Sequence, residues 1–129
     1  MIAGVGVDVM EIGRFADALA RRPRLAERCF TDAERAYCLA KPFPPQHFAA
    51  RFAAKEAVGK ALGTGMTRWR DCEVVRGRGA PTISLTGIYA VRAEHLGITR
   101  VHVSLTHGKH SAIAFAVAEA GTGGAPRAG

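Results

Sequence analysis

The amino-acid sequence predicts an α+β fold, in which a small, largely antiparallel sheet packs with helices. Some segments carry an apolar residue at every second position, which is the period of a strand, and others at every third or fourth, which is that of a helix. Their order is one strand, three helices, two strands, one helix and two strands, without an internal repeat. Because the later strands come in adjacent pairs joined by short segments, we expect mainly antiparallel pairing.

The first element is a strand at residues 2–9, whose side chains alternate between two faces. One face carries Val5, Val7 and Val9, and the other carries Gly4, Gly6 and Asp8. Asp8 therefore shares its face with residues that have no side chain. A carboxylate at this position must reach water, a cation or a hydrogen-bond donor. Capping of the following helix is the alternative role for Asp8.

Two short helices are predicted next. The first begins near Ile12, has apolar residues at helical spacing, and ends at Pro23, which interrupts the backbone hydrogen bonds. Thr31 and Glu34 are spaced as in a capping box and should open the second helix. The prolines at positions 42–45 are expected to close it.

A third, longer helix is predicted from about Gln46 to Leu62, with Gly63 placed as its C-terminal cap. One side of this helix carries a row at four-residue steps, formed by Phe48, Phe52, Glu56 and Lys60. The row is apolar at its start and ionic at its end. An ordinary surface pair between Glu56 and Lys60, worth about 0.2–0.5 kcal/mol, is the alternative to a functional role.

The second half of the chain predicts a hairpin, a helix and a final strand pair. The hairpin strands are 73–76 and 82–85, the helix is 88–96, and the final strands are 101–106 and 111–119. In the last strand, larger apolar residues alternate with alanines. This small-residue face would let a helix pack closely.

The chain length of 129 residues fits one domain, which we assign to residues 1–119, with 120–129 as a flexible tail that has no residue able to fill a core. Asp8 interrupts the apolar stretch that a signal peptide would need, and no apolar run is long enough to cross a bilayer. We therefore expect a cytoplasmic protein without a membrane partner. The three cysteines include no CxxC pair and are expected to be reduced.

The charge balance indicates an anionic partner. Eighteen Lys and Arg against eleven Asp and Glu give a formal net charge of +7. A nucleic acid, a phosphate-rich cofactor or an acidic protein would each fit this charge. Only 7% of the residues are aromatic, and no stacking pair falls on a predicted strand, which argues against a nucleic-acid-binding module.

Asp8 and Glu56 are the candidate metal ligands. Two hard oxygen ligands, with positions left for water and phosphate oxygens, suit the magnesium site of a phosphoryl-transfer enzyme. Lys60 lies one helical turn from Glu56 and would neutralise charge on a leaving phosphate. A metal-dependent phosphatase or nuclease is an alternative, although such enzymes usually need more acidic ligands.

Two further groups of residues are candidates for binding or catalysis. His107 follows the polar face of a predicted strand and precedes the Gly108-Lys109 turn, which could approach a phosphate. A basic series crosses the first helix and the segment after Pro23, and it consists of Arg14, Arg21, Arg22, Arg24 and Arg28. Few acids accompany this series, so it forms either a solvated face or a docking surface for an acidic partner.

Four blocks of the sequence resemble the holo-acyl-carrier-protein synthase family, the short group of phosphopantetheinyl transferases. They are GVGVDVMEIGR at 4–14, FTDAE at 30–34, RFAAKEAVGKALGTG at 51–65 and VSLTH at 103–107. The third block is the most specific. The linker at 40–47 departs from the family pattern in being richer in proline.

This resemblance implies transfer of the 4'-phosphopantetheine group from coenzyme A to a serine of an apo acyl carrier protein in fatty acid biosynthesis. The products would be holo carrier protein and adenosine 3',5'-bisphosphate. It implies that Asp8 and Glu56 bind Mg²⁺ with the coenzyme A pyrophosphate, and that Lys60 contacts a phosphate. Either Glu56 or a water or hydroxide on the metal would deprotonate the serine.

The resemblance also implies binding roles for other residues. Those expected to contact coenzyme A are Arg51, Lys60, Gly63, Ser104, Thr106 and His107. Those expected to grip an acidic helix of the carrier protein are Arg14, Arg21, Arg24 and Arg28. The expected assembly is a homotrimer with coenzyme A clefts between subunits, to which the 104–109 region contributes from across the interface.

Overall fold

The computed structural model describes residues 1–121. Its strands are β1 (Ile2–Glu11), β2 (Cys72–Val75), β3 (Thr82–Leu85), β4 (Ile98–His107) and β5 (Ser111–Ala120). Its helices are α1 (Ile12–Arg21), α2 (Leu25–Cys29), α3 (Asp32–Leu39), α4 (Pro44–Leu62) and α5 (Gly87–His95). The predicted tail lies outside the described residues, except that Ala120 ends β5 and Gly121 follows it.

The five strands form one sheet in the order β1-β5-β4-β3-β2, and every neighbouring pair is antiparallel. The predicted α+β class and antiparallel pairing are therefore confirmed. Helix α4 crosses one face of β1 and β5 and makes the largest helix–sheet contact of the described residues. No helix within residues 1–121 is long and apolar enough to span a bilayer.

The face of the sheet beneath α4 is built from glycine and alanine. A Cβ atom at Gly4 would overlap the carbonyl oxygen of Ala61, and one at Gly6 would overlap that of Ala57. The alanines of β5 on the same face, which are Ala112, Ala114, Ala116 and Ala118, are fully buried. The predicted close packing of a helix on these small residues is confirmed.

The opposite face of the sheet is open in the single chain. It presents Val5, Val7 and Val9 of β1 with side chains about half exposed, between 49% and 56%. Phe115, which is the register partner of Val7 on β5, is 47% exposed. This chain therefore leaves a contiguous apolar surface on the sheet that none of its described elements covers.

The structure corrects the prediction in the α2–α4 region. Helix α2 was not predicted, because its five residues are too short to show a helical period. Helix α3 ends at Leu39, before the proline cluster, and Pro44 and Pro45 instead occupy the first turn of α4. Proline is tolerated there because the first-turn N–H groups have no partner within the helix.

The predicted capping box at Thr31 is present and belongs to a larger buried network. Thr31 N donates to Glu34 Oε1 at 2.8 Å, and the Glu34 N donates to Thr31 Oγ1 at 3.2 Å. Glu34 also accepts hydrogen bonds from Lys55 Nζ at 2.6 Å and from Val74 N at 2.7 Å. Lys55 has no exposed side-chain surface and donates to Trp69 O at 2.9 Å. One buried ion pair thus joins α3, α4 and β2.

Candidate active site

The centre of the site lies where β1 passes α4. Lys60 Nζ donates to Asp8 Oδ1 at 3.1 Å and to the carbonyl oxygen of Val7 at 2.9 Å. The Asp8 side chain is 19% exposed and that of Lys60 53%. This approach depends on Gly6, because a side chain there would overlap α4 next to Lys60.

Glu56 completes the centre from the same side of α4. It is partly buried, one helical turn before Lys60. Burial raises the pKa of Glu56, the negative charge of Asp8 raises it further, and Lys60 acts in the opposite direction. The sequence prediction that Asp8, Glu56 and Lys60 converge is therefore consistent with this geometry. Two carboxylates that repel one another are a place where a cation would be stabilised.

The donor set fits a magnesium ion shared with a substrate. Mg²⁺ prefers hard oxygen ligands, and it is usually held by one or two carboxylates together with water and substrate phosphates. Within residues 1–121 there is no cluster of three or more His, Cys, Asp or Glu side chains that could hold a metal ion. Asp8 and Glu56 would therefore leave most coordination positions to other oxygens.

A second group of positive charges surrounds Tyr37. The Arg51 guanidinium lies 4.0 Å from the centre of the Tyr37 ring, and Lys41 and Arg76 lie at 4.6 and 5.5 Å. Arg51 is 4% exposed, and its Nε atom is a buried donor without a hydrogen-bond partner in the described chain. Such a donor is costly unless water or a bound group satisfies it.

His107 joins this group through His47. The rings of His47 and His107 have centroids 5.9 Å apart, and His47 packs edge-on at 6.0 Å from Tyr37. Burial lowers the pKa of His47, and the positive charge of Arg51 lowers it further. His107, Lys41 and Arg76 act in the same direction. We call Tyr37, Lys41, His47, Arg51, Arg76 and His107 the Tyr37 cluster. The positive electrostatic potential of this cluster suits an anionic group.

The remaining predicted coenzyme A residues lie elsewhere in the single chain. Gly63 caps α4 in the left-handed conformation at φ 76°. Ser104 and Thr106 are exposed on β4 and alternate with residues packed beneath α4, so they lie on the open face of the sheet. Asp8 lies on the covered face. One chain alone therefore does not bring all the predicted coenzyme A residues into one pocket.

The basic series lines a groove beside the end of β1. Arg14 and Arg21 border an open groove of about 660 Å³, and Phe15 and Phe52 form part of its apolar lining. The groove reaches Val9, which follows Asp8 in β1. A neighbouring depression is lined by Arg22, Pro23, Arg24, Leu25 and Arg28. The predicted docking arginines thus border two adjoining grooves, the first of which reaches the residue that follows Asp8 in the sequence.

Several residues of the site were not predicted from the sequence. Tyr37, Lys41 and His47 lie near the proline-rich linker, and Arg76 follows β2. No periodicity or spacing connects these positions, because they meet only through the tertiary fold. The one local feature of this region is the proline-rich linker at 40–47, which contains Lys41 and His47.

The sequence and fold match known phosphopantetheinyl transferases. The family model described as the 4'-phosphopantetheinyl transferase superfamily matches residues 4–117. The chain is 50% identical over 128 residues to a holo-[acyl-carrier-protein] synthase of Anaeromyxobacter dehalogenans (strain 2CP-1 / ATCC BAA-258), covering 95% of this chain and 99% of the relative.

Solved structures show the same similarity. The holo-[acyl-carrier-protein] synthase of Neisseria meningitidis superposes with a TM-score of 0.83 at 31% identity, covering 92% of this chain and 99% of the other. A holo-(acyl-carrier-protein) synthase from Bacillus anthracis str. Ames, in complex with CoA (3',5'-ADP), superposes with a TM-score of 0.77 at 32% identity. That match covers 94% of this chain and 99% of the other.

Proposed function

The chain belongs to the 4'-phosphopantetheinyl transferase superfamily, and from this we propose that Asp8, Glu56 and Lys60 form the magnesium-dependent centre of its reaction. The reaction is transfer of 4'-phosphopantetheine from coenzyme A to a serine of an apo acyl carrier protein. Holo carrier protein and adenosine 3',5'-bisphosphate are its products. The observation that carries the assignment of the centre is the meeting of Asp8 and Lys60, 3.1 Å apart, beside Glu56.

Each residue of the centre has a distinct role in this proposal. Asp8 and Glu56 would hold Mg²⁺, which when bound supplies a Lewis acid that stabilises charge on the pyrophosphate oxygens. The carrier serine oxygen attacks the β-phosphorus, and the bond from that phosphorus to the bridging oxygen breaks. Lys60 stabilises the negative charge that develops on the leaving phosphate. The serine proton would pass to a base at this centre, for which the Glu56 carboxylate is one candidate.

The Tyr37 cluster would bind the nucleotide end of coenzyme A. Arg51 offers a buried guanidinium with a free donor, and His107 lies at the open margin of the same cluster. Both were predicted to contact coenzyme A, but His107 was expected to do so from across a subunit interface, whereas here it lies in the same cluster as Arg51 of its own chain. Positive groups held by packing against one aromatic ring are preorganised for a phosphate, because little side-chain freedom is lost on binding.

We also propose a homotrimer in which coenzyme A lies between subunits. The open apolar face of β1 and β5 supports self-association, since a surface of this kind is commonly an interface. Ser104 and Thr106 lie on that same face, where they could reach a neighbouring copy but not the Asp8 of their own chain. Light scattering is expected to give the mass of three chains. A fully active monomer at assay concentration would contradict the trimer.

The direct test of the activity is a mass measurement. The protein, coenzyme A, Mg²⁺ and a purified apo acyl carrier protein are incubated together, and the carrier is weighed by mass spectrometry. We expect the carrier to gain one phosphopantetheine group on its serine. No gain in mass, with an apo carrier that a known transferase can modify, would overturn the proposed function.

Charge reversal in the first groove should weaken carrier binding. Arg14 and Arg21 lie two helical turns apart on α1 and border the same groove. The double variant Arg14→Glu/Arg21→Glu is expected to raise the KM for the carrier about tenfold or more, because two exposed attractions of about 0.2–1 kcal/mol each become repulsions. The KM for coenzyme A should change little.

Salt provides an independent check of this groove. Added NaCl should raise the carrier KM of the wild-type protein, because exposed charge interactions are screened. The double variant should lose most of this salt dependence. If it instead loses coenzyme A affinity and keeps its carrier KM, the arginines belong to the nucleotide site.

A further inference from the structure

A second basic groove lies between α2 and the segment that precedes β2. It has a volume of about 480 Å³ and is lined by Arg28, Thr67, Arg68, Trp69, Arg70 and Asp71. Three of these six residues are arginines, and Asp71 is the one acid among them. Asp71 already accepts a hydrogen bond from Thr86 Oγ1 at 3.2 Å. The groove therefore offers an excess of positive charge.

The arginines of this groove differ in how they are used by the fold. Arg70 donates to the carbonyl oxygen of Glu27 at 3.0 Å and pairs with Asp32 at 3.3 Å, so it anchors α2. Arg68 is exposed, and its guanidinium makes no ion pair or hydrogen bond to any residue from 1 to 121. Arg68 is thus available to a partner, whereas Arg70 serves the structure.

The backbone beneath Arg68 is held firmly. The backbone N–H groups of Thr67 and Arg68 both donate to Tyr89 Oη, at 2.7 and 2.8 Å. Tyr89 is 1% exposed. On the other side, Trp69 O accepts a hydrogen bond from the buried Lys55 at 2.9 Å. A free guanidinium on a fixed backbone loses less freedom on binding than one on a mobile loop.

The second groove lies next to the first. Phe52 lines the first groove and Trp69 lines the second, and their rings stack with centroids 4.5 Å apart at 16°. Arg28 lines both the second groove and the depression that borders the first. The two grooves are therefore neighbours, and one protein partner is large enough to contact both.

We propose that Arg68, which lines the same groove as the already predicted docking residue Arg28, extends the carrier-docking surface and binds acidic side chains of the carrier protein. The proposal rests on the proposed function for the identity of the partner. Charge complementarity indicates an acidic protein surface. Adjacency to the Arg14 groove favours contact of the same molecule with both.

The test compares two single charge reversals in the full-length protein. Arg68→Glu changes the second groove, and Arg78→Glu makes the same change at an exposed residue after β2, outside both grooves. With purified apo carrier, Arg68→Glu is expected to raise the carrier KM about fivefold, because an attraction becomes a repulsion at an exposed site. Its KM for coenzyme A and its kcat at saturating carrier should match the wild type. Arg78→Glu should leave all three constants unchanged.

Arg68→Ala removes the positive charge without adding a negative one, so its effect does not depend on repulsion from an introduced carboxylate. It should raise the carrier KM in the same direction by a smaller factor, with an unchanged thermal melting curve. If the wild-type protein transfers phosphopantetheine and Arg68→Glu keeps the wild-type carrier KM, the second groove is not a carrier site, although the proposed function stands. If the wild type transfers nothing, the proposed function fails, and calorimetric titration of carrier into wild type and Arg68→Glu still reports on the groove.

A nucleic-acid partner gives a different result. Fluorescence polarisation with a labelled DNA duplex would then show binding that Arg68→Glu abolishes, while the carrier KM stays at the wild-type value. That outcome overturns the assignment to the carrier protein. The assignment to the carrier protein is supported if Arg68→Glu and Arg78→Glu bind DNA equally, weakly and in a salt-sensitive way. In that case only Arg68→Glu should raise the carrier KM.

Discussion

Asp8→Asn and Glu56→Gln are each expected to reduce phosphopantetheine transfer by about a hundred- to a thousandfold, the usual loss when one preorganised electrostatic group is removed from a reacting centre. Both substitutions keep the shape of the side chain and remove its charge. The ion pair between Asp8 and Lys60 is partly exposed, so its loss should have little effect on stability. Single-turnover rates over a series of Mg²⁺ concentrations measure the effect.

The Mg²⁺ series separates a metal ligand from a merely nearby carboxylate. Each variant should need a higher Mg²⁺ concentration for half-maximal rate than the wild type. Glu94→Gln, which neutralises an exposed carboxylate on α5, is the matched control and should behave as the wild type. Wild-type Mg²⁺ dependence in both site variants would remove Asp8 and Glu56 from the metal site.

Lys55→Met is expected to lower the free energy of unfolding by about 3–5 kcal/mol, because it leaves the buried Glu34 carboxylate without its cation. Methionine has a volume close to that of lysine, so little of the loss would come from a cavity. The donor to Trp69 O is lost as well. Urea unfolding followed by circular dichroism measures the change.

The control for this effect is Lys109→Met, at an exposed position of the β4–β5 turn. It should alter the free energy of unfolding by no more than about 0.5 kcal/mol. Glu34→Gln should lose stability in the same range as Lys55→Met, since it leaves the lysine without its partner. An unfolding midpoint of Lys55→Met equal to that of the wild type would show that the buried pair contributes little.

Periodicity predicted the row that ends in Glu56 and Lys60, because a four-residue spacing keeps side chains on one side of a helix. It did not predict the neighbouring Lys55, which points into the core. The partner of Lys55 is Glu34, whose spacing from Thr31 indicated only a cap. Two adjacent charged residues of one motif therefore have opposite roles, and only the tertiary structure separates them.

The larger strands and helices were predictable for a related reason. Strands β1, β4 and β5 and helix α4 are long enough to show their period, and Gly63 marks the end of α4 by its left-handed backbone. Short elements and contacts between distant segments carry no such local signal. Helix α2 and the Tyr37 cluster belong to that second group.

The glycines of β1 set the distance between the charged groups of the reaction centre. Asp8 lies on β1, and Glu56 and Lys60 lie on α4. The distance between the backbones of β1 and α4 therefore determines the distance between these charged groups. Gly4 and Gly6 hold that gap at its minimum because neither has a side chain to place between them. Activity can therefore be lost when a single methyl group is added at Gly4 or Gly6, although neither residue has a functional group and Asp8, Glu56 and Lys60 are all still present.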